Sequence, residues 1–589
     1  MPGSLDETGS LAPSRIIGLL AALVVGLIAA LVLSGSGGLT ASQRLADSFV
    51  TAWTQGDYAQ MYADVDAATR ANHSVTAFAD YYRHDLATAT ATGARVGKVQ
   101  SPHDGAVTVP VTVETSLFGT LQTSFVLPIT GSGAAARIVW RRSLGFPGVR
   151  PGEALTRQTT TPPRAILQAR DETPLTALSS ASGVIGSLGP IPAAQATLDY
   201  EAGLPADATV GQNGLQLIFD RRLTGRIGGQ LLAGTRVLAT ATARSAPPLR
   251  TSLSPQLQTL AVSTLAGQEG GIVVMRPDTG EILALAGTPF SELQPPGSTF
   301  KIVTLTGALL AGLATPTTTY PYETSTTIDG YKLQNANGES CGGTLANAFA
   351  VSCNSVFAPL GVQLGAAGLV GAAERFGFNQ TPPISDVAES TIPPADQIGS
   401  DLDVGSSAIG QGMVQATVLQ MALIAATIAE GGHRPVPTLA LGARHPQPAV
   451  IPPSVAKSVK QLMLGVVEGA DGTGRAAQIP GVLVAGKTGT AELTTTAVNC
   501  TPDPTDPTSC PPPEPDDPKN TDAWFVAFAP AQKPRVAIGI LLDNDGAGGD
   551  TAAPLAQILL KAALKTTAYR KPSAAGPKAA GAAQAHPAG

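Results

Sequence analysis

The sequence predicts a multidomain chain: an N-terminal membrane helix, a small α+β domain, a mixed linker domain, and a larger domain of strands and helices. Three observations carry this. The 589 residues exceed what one hydrophobic core supports. Residues 16–33 form a run with no charged side chain. Near residue 256 the texture changes from short strands and turn clusters to long apolar helices and strands.

At 1.5 Å per residue, the 16–33 run spans roughly 27 Å, about the depth of a bilayer core. It is longer than the apolar stretch of most signal peptides, although a cleaved signal peptide is the alternative. No cysteine follows it for lipid attachment, and Arg15 is the one basic residue before it. The expectation is a single-pass signal anchor with residues 1–15 cytoplasmic and the rest extracytoplasmic.

Residues 41–64 read as an amphipathic helix that includes Leu45, Phe49, Trp53 and Tyr58. Alternating runs follow at Val107-Thr-Val-Pro-Val-Thr-Val and Leu121-Gln-Thr-Ser-Phe-Val-Leu, the period of half-buried strands. Together they suggest an α+β domain over 41–149. Residues 150–255, with Pro162-Pro163 and Gly228-Gly229, are expected to form a second non-catalytic module. Over 256–567 the pattern gives a helix at 257–265 and a hairpin whose apolar runs flank Pro277-Asp-Thr-Gly. Strands near 482–491, 523–529 and 535–543 and a helix at 552–565 complete it. Residues 568–589, rich in Ala, Gly and Pro, are expected to be disordered.

The formal charge of −6 and the scatter of the basic residues give no reason to expect nucleic-acid binding. The four cysteines, Cys341, Cys353, Cys500 and Cys510, permit three disulfide connectivities. The most local is Cys341–Cys353 with Cys500–Cys510, and free thiols are the alternative. No CxxC occurs and the histidines lie elsewhere, so no metal site is expected.

Three short motifs carry chemistry. Ser298-Thr-Phe-Lys301 follows Pro295-Pro296-Gly297, which halts one element so that Ser298 opens a helix. Positions i and i+3 share a helix face, which brings Lys301 beside Ser298. The neighbours Phe300, Ile302, Val303, Leu305, Leu309 and Leu310 are apolar almost all round, so this helix is expected to be buried. Burial lowers a lysine pKa and makes it a base. A second S-x-x-K at Ser454 and Lys457 carries Lys460 and Gln461 on a polar side and reads as an exposed helix start.

The second motif, Ser352-Cys353-Asn354, falls in the helical run 345–364. Its hydroxyl is suited to relaying a proton, and its amide to holding a lysine and a peptide group. The third, Lys487-Thr488-Gly489-Thr490, follows the apolar run Val482-Leu-Val-Ala. Here a strand edge with a glycine admits a ligand backbone, and Lys487, Thr488 and Thr490 are placed to meet a carboxylate.

In this order the three motifs are those of penicillin-binding proteins and serine β-lactamases. Gln294-Pro-Pro-Gly-Ser-Thr-Phe-Lys-Ile, Ala408-Ile-Gly-Gln-Gly, Gly486-Lys-Thr-Gly-Thr-Ala-Glu and Ala523-Trp-Phe-Val-Ala-Phe-Ala-Pro resemble the class B penicillin-binding proteins. Residues 49–62 and Trp140-Arg-Arg-Ser-Leu-Gly-Phe-Pro-Gly resemble the NTF2-like domain of the MecA type. Arg164-Ala-Ile-Leu and Phe219-Asp220 resemble a reduced dimerisation or pedestal domain. The resemblance implies an α/β transpeptidase domain of the serine β-lactamase type, its antiparallel sheet packed between helices.

It further implies a D,D-transpeptidase with no metal or cofactor. Ser298 would attack the penultimate D-Ala of a D-Ala-D-Ala stem peptide of peptidoglycan, with Lys301 as base. Ser352 would shuttle the proton and Asn354 would position lysine and substrate. Lys487, Thr488 and Thr490, on the strand with Gly489, would bind the terminal carboxylate. The backbone N–H groups of Ser298 and Thr490 would form the oxyanion hole. β-Lactams would acylate Ser298, and the implied partners are the cell-wall machinery including a glycosyltransferase.

Two departures accompany the match: a short segment Gly287-Thr-Pro-Phe-Ser-Glu-Leu and a Pro-rich insertion at 497–520. The competing readings are a D,D-carboxypeptidase, a serine β-lactamase or β-lactam sensor, and a catalytically inactive scaffold. No E-x-x-L-N segment of a class A lactamase occurs, and Glu374 to Asn379 lacks that form.

Overall fold

A computed structural model describes residues 39–493 and 517–566. The expected anchor at 16–33, Cys500, Cys510 and the tail at 568–589 lie outside the described residues. The chain divides into two compact units.

The first unit comprises the described residues up to Ala165 with Gly189–Val210 and Arg221–Pro247. Helix α1 (Ala41–Gln55) starts on a capping box in which the Thr40 hydroxyl and the Gln43 side chain satisfy each other's backbone N–H. The single helix expected over 41–64 is two. Gly56, at φ 69°, ends α1 in the left-handed conformation, and the Asp57 side chain caps α2 (Tyr58–Asp64). Helices α3 (Ala67–Asn72) and α4 (Val75–Thr88) follow.

An antiparallel sheet of β1 (Ala91–Val96), β2 (Ala106–Thr115), β3 (Gly119–Thr130) and β4 (Arg137–Ile138) is ordered as the chain runs. Along β2, Val107, Val109, Val111 and Val113 are buried, as the period-2 pattern requires. They share a core with Phe49, Trp53, Phe78, Tyr82, Phe125 and Trp140.

Residues 150–255, expected as one module, are divided between the two units. Strand β5 (Leu155–Thr160) pairs with β6 (Gly228–Ala233), which pairs with β7 (Arg236–Ala241). Leu155 and Leu231 join the first unit's core, so this sheet belongs there. Arg157 ties it down by donating to the Ala87, Thr88 and Tyr200 carbonyls.

The second unit holds the described residues from Pro248 onward, with Ile166–Leu188 and Gly211–Asp220. Its centre is a five-stranded antiparallel sheet. The strands are β8 (Gly270–Met275), β9 (Ile282–Gly287), β10 (Ala485–Glu492), β11 (Thr521–Ala529) and β12 (Val536–Leu542), in the order β9-β8-β12-β11-β10. Strands β11 and β12 are buried along their whole length, which helices on both faces require.

Helices α5 (Pro255–Leu265) and α12 (Ala552–Thr566) pack Leu257, Leu265, Leu559 and Leu560 against Ile272, Phe525 and Ile540. Contacts with β8, β11 and β12 also come from α10 (Val418–Ala429), in which every residue is buried. The predicted hairpin, edge strand and C-terminal helix stand where the sequence puts them, within about three residues. Helix α6 (Lys301–Leu310), expected to be buried all round, is buried from Lys301 to Ala308.

The run 345–364 is not one helix. Helix α7 (Leu345–Ala350) stops, and α8 (Asn354–Phe376) begins after a three-residue break. Helix α8 is broken at Gly365, whose φ of 74° and ψ of 162° are not helical; by length and composition alone the whole segment would reach across a membrane, and half of its apolar window is buried. Its neighbours are α6, α9 (Asp401–Ala408) and other elements of the unit.

Candidate active site

The break between α7 and α8 is where the second motif sits. Ser352 adopts φ 62°, a left-handed conformation that a non-glycine residue adopts at a cost. Cys353 N–H donates to the Ala348 carbonyl and closes the turn. A disulfide from Cys353 to Cys341 pins it from the other side.

Lys301, in the first turn of α6, is fully buried. Its Nζ donates to the Ser352 carbonyl at 2.6 Å and to Asn354 Oδ1 at 2.6 Å, with Ser352 Oγ at 3.4 Å. Asn354 is oriented by its own Nδ2, which donates to the Gln334 carbonyl at 2.8 Å. Burial, and then the charge of nearby Lys487, hold the Lys301 pKa well below its ordinary value. Ser298 lies one turn earlier, partly exposed, in the short 3-10 turn Gly297–Phe300 that leads into α6. Among the described residues no hydrogen bond joins Ser298 to Lys301, whose nitrogen is directed to Ser352 and Asn354.

The third motif lies on β10, the edge of the sheet, paired on one side only. Lys487 is fully buried, and its Nζ donates to Ser352 Oγ at 2.8 Å and to the Thr488 carbonyl at 3.0 Å. Burial pushes its pKa down to about 7. The rings of Phe357 and Phe349 stand 5.8 and 5.6 Å from the Lys301 and Lys487 nitrogens, an apolar wall that explains the desolvation.

The glycine of this motif has a packing role besides the one expected. A Cβ on Gly489 would stand 2.9 Å from Trp524 Cβ and 3.0 Å from the Pro296 carbonyl and Thr299 Cγ2. Its immediate neighbour is therefore protein: it lets the Ser298 turn lie on the strand. Gly297, at φ 50°, makes the reciprocal contact, since a Cβ there would meet the Thr490 carbonyl at 2.6 Å.

All the expected site residues of these three motifs converge in the second unit. The second S-x-x-K, in the same unit, does not join them: Ser454 and Lys457 are exposed near the start of α11 (Pro453–Glu468). Two participants lie outside the motifs. Thr473 Oγ1 stands 2.6 Å from Thr488 Oγ1. The Gln411 amide, with its oxygen toward the Glu492 N–H at 3.0 Å and its nitrogen toward the Glu492 carbonyl at 3.2 Å, holds the end of β10. Gln411 sits in the Ala408-Ile-Gly-Gln-Gly run, which pointed to it without a role. Nothing in the sequence flagged Thr473.

Comparison with known proteins agrees with this geometry. Residues 270–561 match the penicillin-binding protein transpeptidase domain, and residues 41–153 match the NTF2-like N-terminal transpeptidase domain. The peptidoglycan D,D-transpeptidase PbpA of Mycobacterium tuberculosis is 34% identical over 362 residues, covering 50% of this chain and 67% of the relative. PbpA of Mycolicibacterium smegmatis is 32% identical over 386 residues, covering 54% and 72%. Penicillin-binding protein A of M. tuberculosis, solved as a ceftriaxone acyl-enzyme complex, superposes with a TM-score of 0.50 at 27% identity, covering 68% of this chain and 98% of that one. With the serine, the two lysines and the edge strand arranged as described, the chain belongs to the class B penicillin-binding proteins and carries that family's NTF2-like N-terminal domain.

Proposed function

We propose that the protein is a peptidoglycan D,D-transpeptidase in which Ser298 is the acylated nucleophile. One observation carries the assignment of roles: two buried lysines from different elements meet at the Ser352 hydroxyl, beside the helix turn that presents Ser298.

The stem peptide docks along the open edge of β10 as an added strand. Its terminal carboxylate meets Lys487, Thr488 and Thr490. Neutral Lys301 takes the Ser298 proton as Oγ attacks the penultimate D-Ala carbonyl. The developing oxyanion is held by the backbone N–H groups of Ser298 and Thr490. Support for the Ser298 donor is its place in the first turn, where N–H groups have no intrahelical partner. Ser352 gives its proton to the departing D-Ala amine and takes back the one held by Lys301, with Lys487 fixing its hydroxyl. An acceptor amine from a second stem then displaces Ser298 and forms the cross-link. β-Lactams acylate the same oxygen as substrate mimics.

Around this site, residues 16–33 anchor the protein in the cell membrane as a single span, with residues 1–15 cytoplasmic and the catalytic unit outside. A glycosyltransferase of the cell-wall machinery supplies the new strands. The test is product analysis: incubation with a D-Ala-D-Ala stem peptide and an acceptor amine. Cross-linked product supports the reading, whereas hydrolysed stem alone identifies a carboxypeptidase.

A further inference from the structure

The hydroxyl of Thr488 is placed to meet a carboxylate, but a hydroxyl has one proton and its direction matters. A carboxylate only accepts. Thr488 must therefore donate to it, and the Thr488 oxygen is then left to accept from elsewhere.

The neighbour that decides this is Thr473. Its Oγ1 stands 2.6 Å from Thr488 Oγ1 and 3.3 Å from the Ala350 carbonyl, which also accepts the Thr473 N–H at 3.2 Å. The segment is fixed on both sides. Gly474 N–H donates to the Val466 carbonyl, and a Cβ on Gly549 would stand 2.4 Å from the Thr473 carbonyl. Thr473 itself is exposed.

With only one proton, the Thr473 hydroxyl donates either to Ala350 or to Thr488. In the first arrangement Thr488 donates to Thr473, and its proton points away from a ligand. In the second, Thr473 donates to Thr488 and frees the Thr488 proton. The Ala350 carbonyl keeps the Thr473 N–H throughout, so the exchange leaves no acceptor orphaned.

We infer that Thr473 is a positioning residue whose hydroxyl turns from the Ala350 carbonyl to Thr488 when a carboxylate binds, orienting the Thr488 proton toward it. The exchange also links carboxylate recognition to the end of α7, two residues before Ser352. This inference rests on the transpeptidase reading of the site.

The test compares wild type, Thr473→Val and Thr473→Ser in the full-length protein. It measures the binding constant and the acylation rate constant separately, using benzylpenicillin and its methyl ester. Thr473→Val is expected to weaken benzylpenicillin binding about 10-fold with little change in the acylation rate constant and no added loss on the ester. Thr473→Ser, which keeps the hydroxyl, is expected to stay within about twofold of wild type. Equal losses on acid and ester, an effect confined to the acylation rate constant, or an unaffected valine variant would each overturn the inference. Failure of the wild type to acylate at Ser298 would instead overturn the reading of the site beneath it.

Discussion

Lys301 and Lys487 converge on one hydroxyl: Ser352 Oγ lies 3.4 Å from the first nitrogen and 2.8 Å from the second. Two ammonium groups so close in a buried site cannot both keep an ordinary pKa. Burial lowers both, and the charge on Lys487 lowers Lys301 further. On the proposed mechanism the two lysines take opposite tasks, a neutral base and a charged carboxylate ligand.

This division predicts a bell-shaped pH dependence for acylation by benzylpenicillin. The rising limb is deprotonation of Lys301. The falling limb, near pH 7, is loss of the Lys487 charge. The falling limb belongs to the second-order rate constant, which reports the free enzyme. Lys487→Arg keeps its charge at all accessible pH, so its falling limb should move up out of the measured range. An unmoved limb in stopped-flow acylation of that variant would remove Lys487 from the role.

The Cys341–Cys353 bridge closes a short loop beside the strained Ser352 turn. Replacing both cysteines with serine should cost about 3 kcal/mol in denaturant unfolding. Acylation should slow as well, because the turn that fixes Ser352 is loosened. Reduction of the wild type should reproduce both effects.

Gly297 is a steric gate between nucleophile turn and edge strand, with the Thr490 carbonyl 2.6 Å from a Cβ built there. Gly297→Ala should push the Ser298 turn off the strand. Displacing a reacting group by about 1 Å can cost 100-fold in rate, and we expect acylation to fall by about that factor. A variant acylated at the wild-type rate would show that the turn has room to shift harmlessly.

A carboxylate cluster sets a pH dependence of stability. Burial pushes Asp522 up to about 6, aided by nearby Glu292. Burial, and then a hydrogen bond with Glu292, raises Asp543. Raised carboxyl pKa values mean that the folded state holds protons the unfolded chain has released. The stabilisation is therefore full below about pH 4 and is lost as pH climbs through 6 and, for Asp543, beyond. Asp543→Asn should flatten this decline of the melting temperature between pH 5 and 8.5. An unchanged slope would place the pH dependence elsewhere.

Much of this was legible in the chain. The apolar runs flanking Pro277-Asp-Thr-Gly and the all-round apolar helix after Ser298 gave the central hairpin and the buried lysine. What escaped has identifiable causes. The stretch 345–364 is apolar throughout, and a serine gives no sign that it will adopt positive φ, so the break at Ser352 was invisible. Gly56-Asp57 did carry a cap-to-cap signal, masked by amphipathic residues on both sides. Strand β5 pairs with β6 some 70 residues away, a non-local choice that local pattern cannot make. Thr473 reaches the site only through packing of the segment after α11 against β10.

Labelling with a fluorescent penicillin, comparing wild type, Ser298→Ala and Ser454→Ala, tests most directly whether Ser298 is the nucleophile. Wild type and Ser454→Ala should carry a stable covalent label, and Ser298→Ala none. Persistent labelling of Ser298→Ala would contradict that assignment, and loss of label in Ser454→Ala would move the nucleophile to the exposed helix.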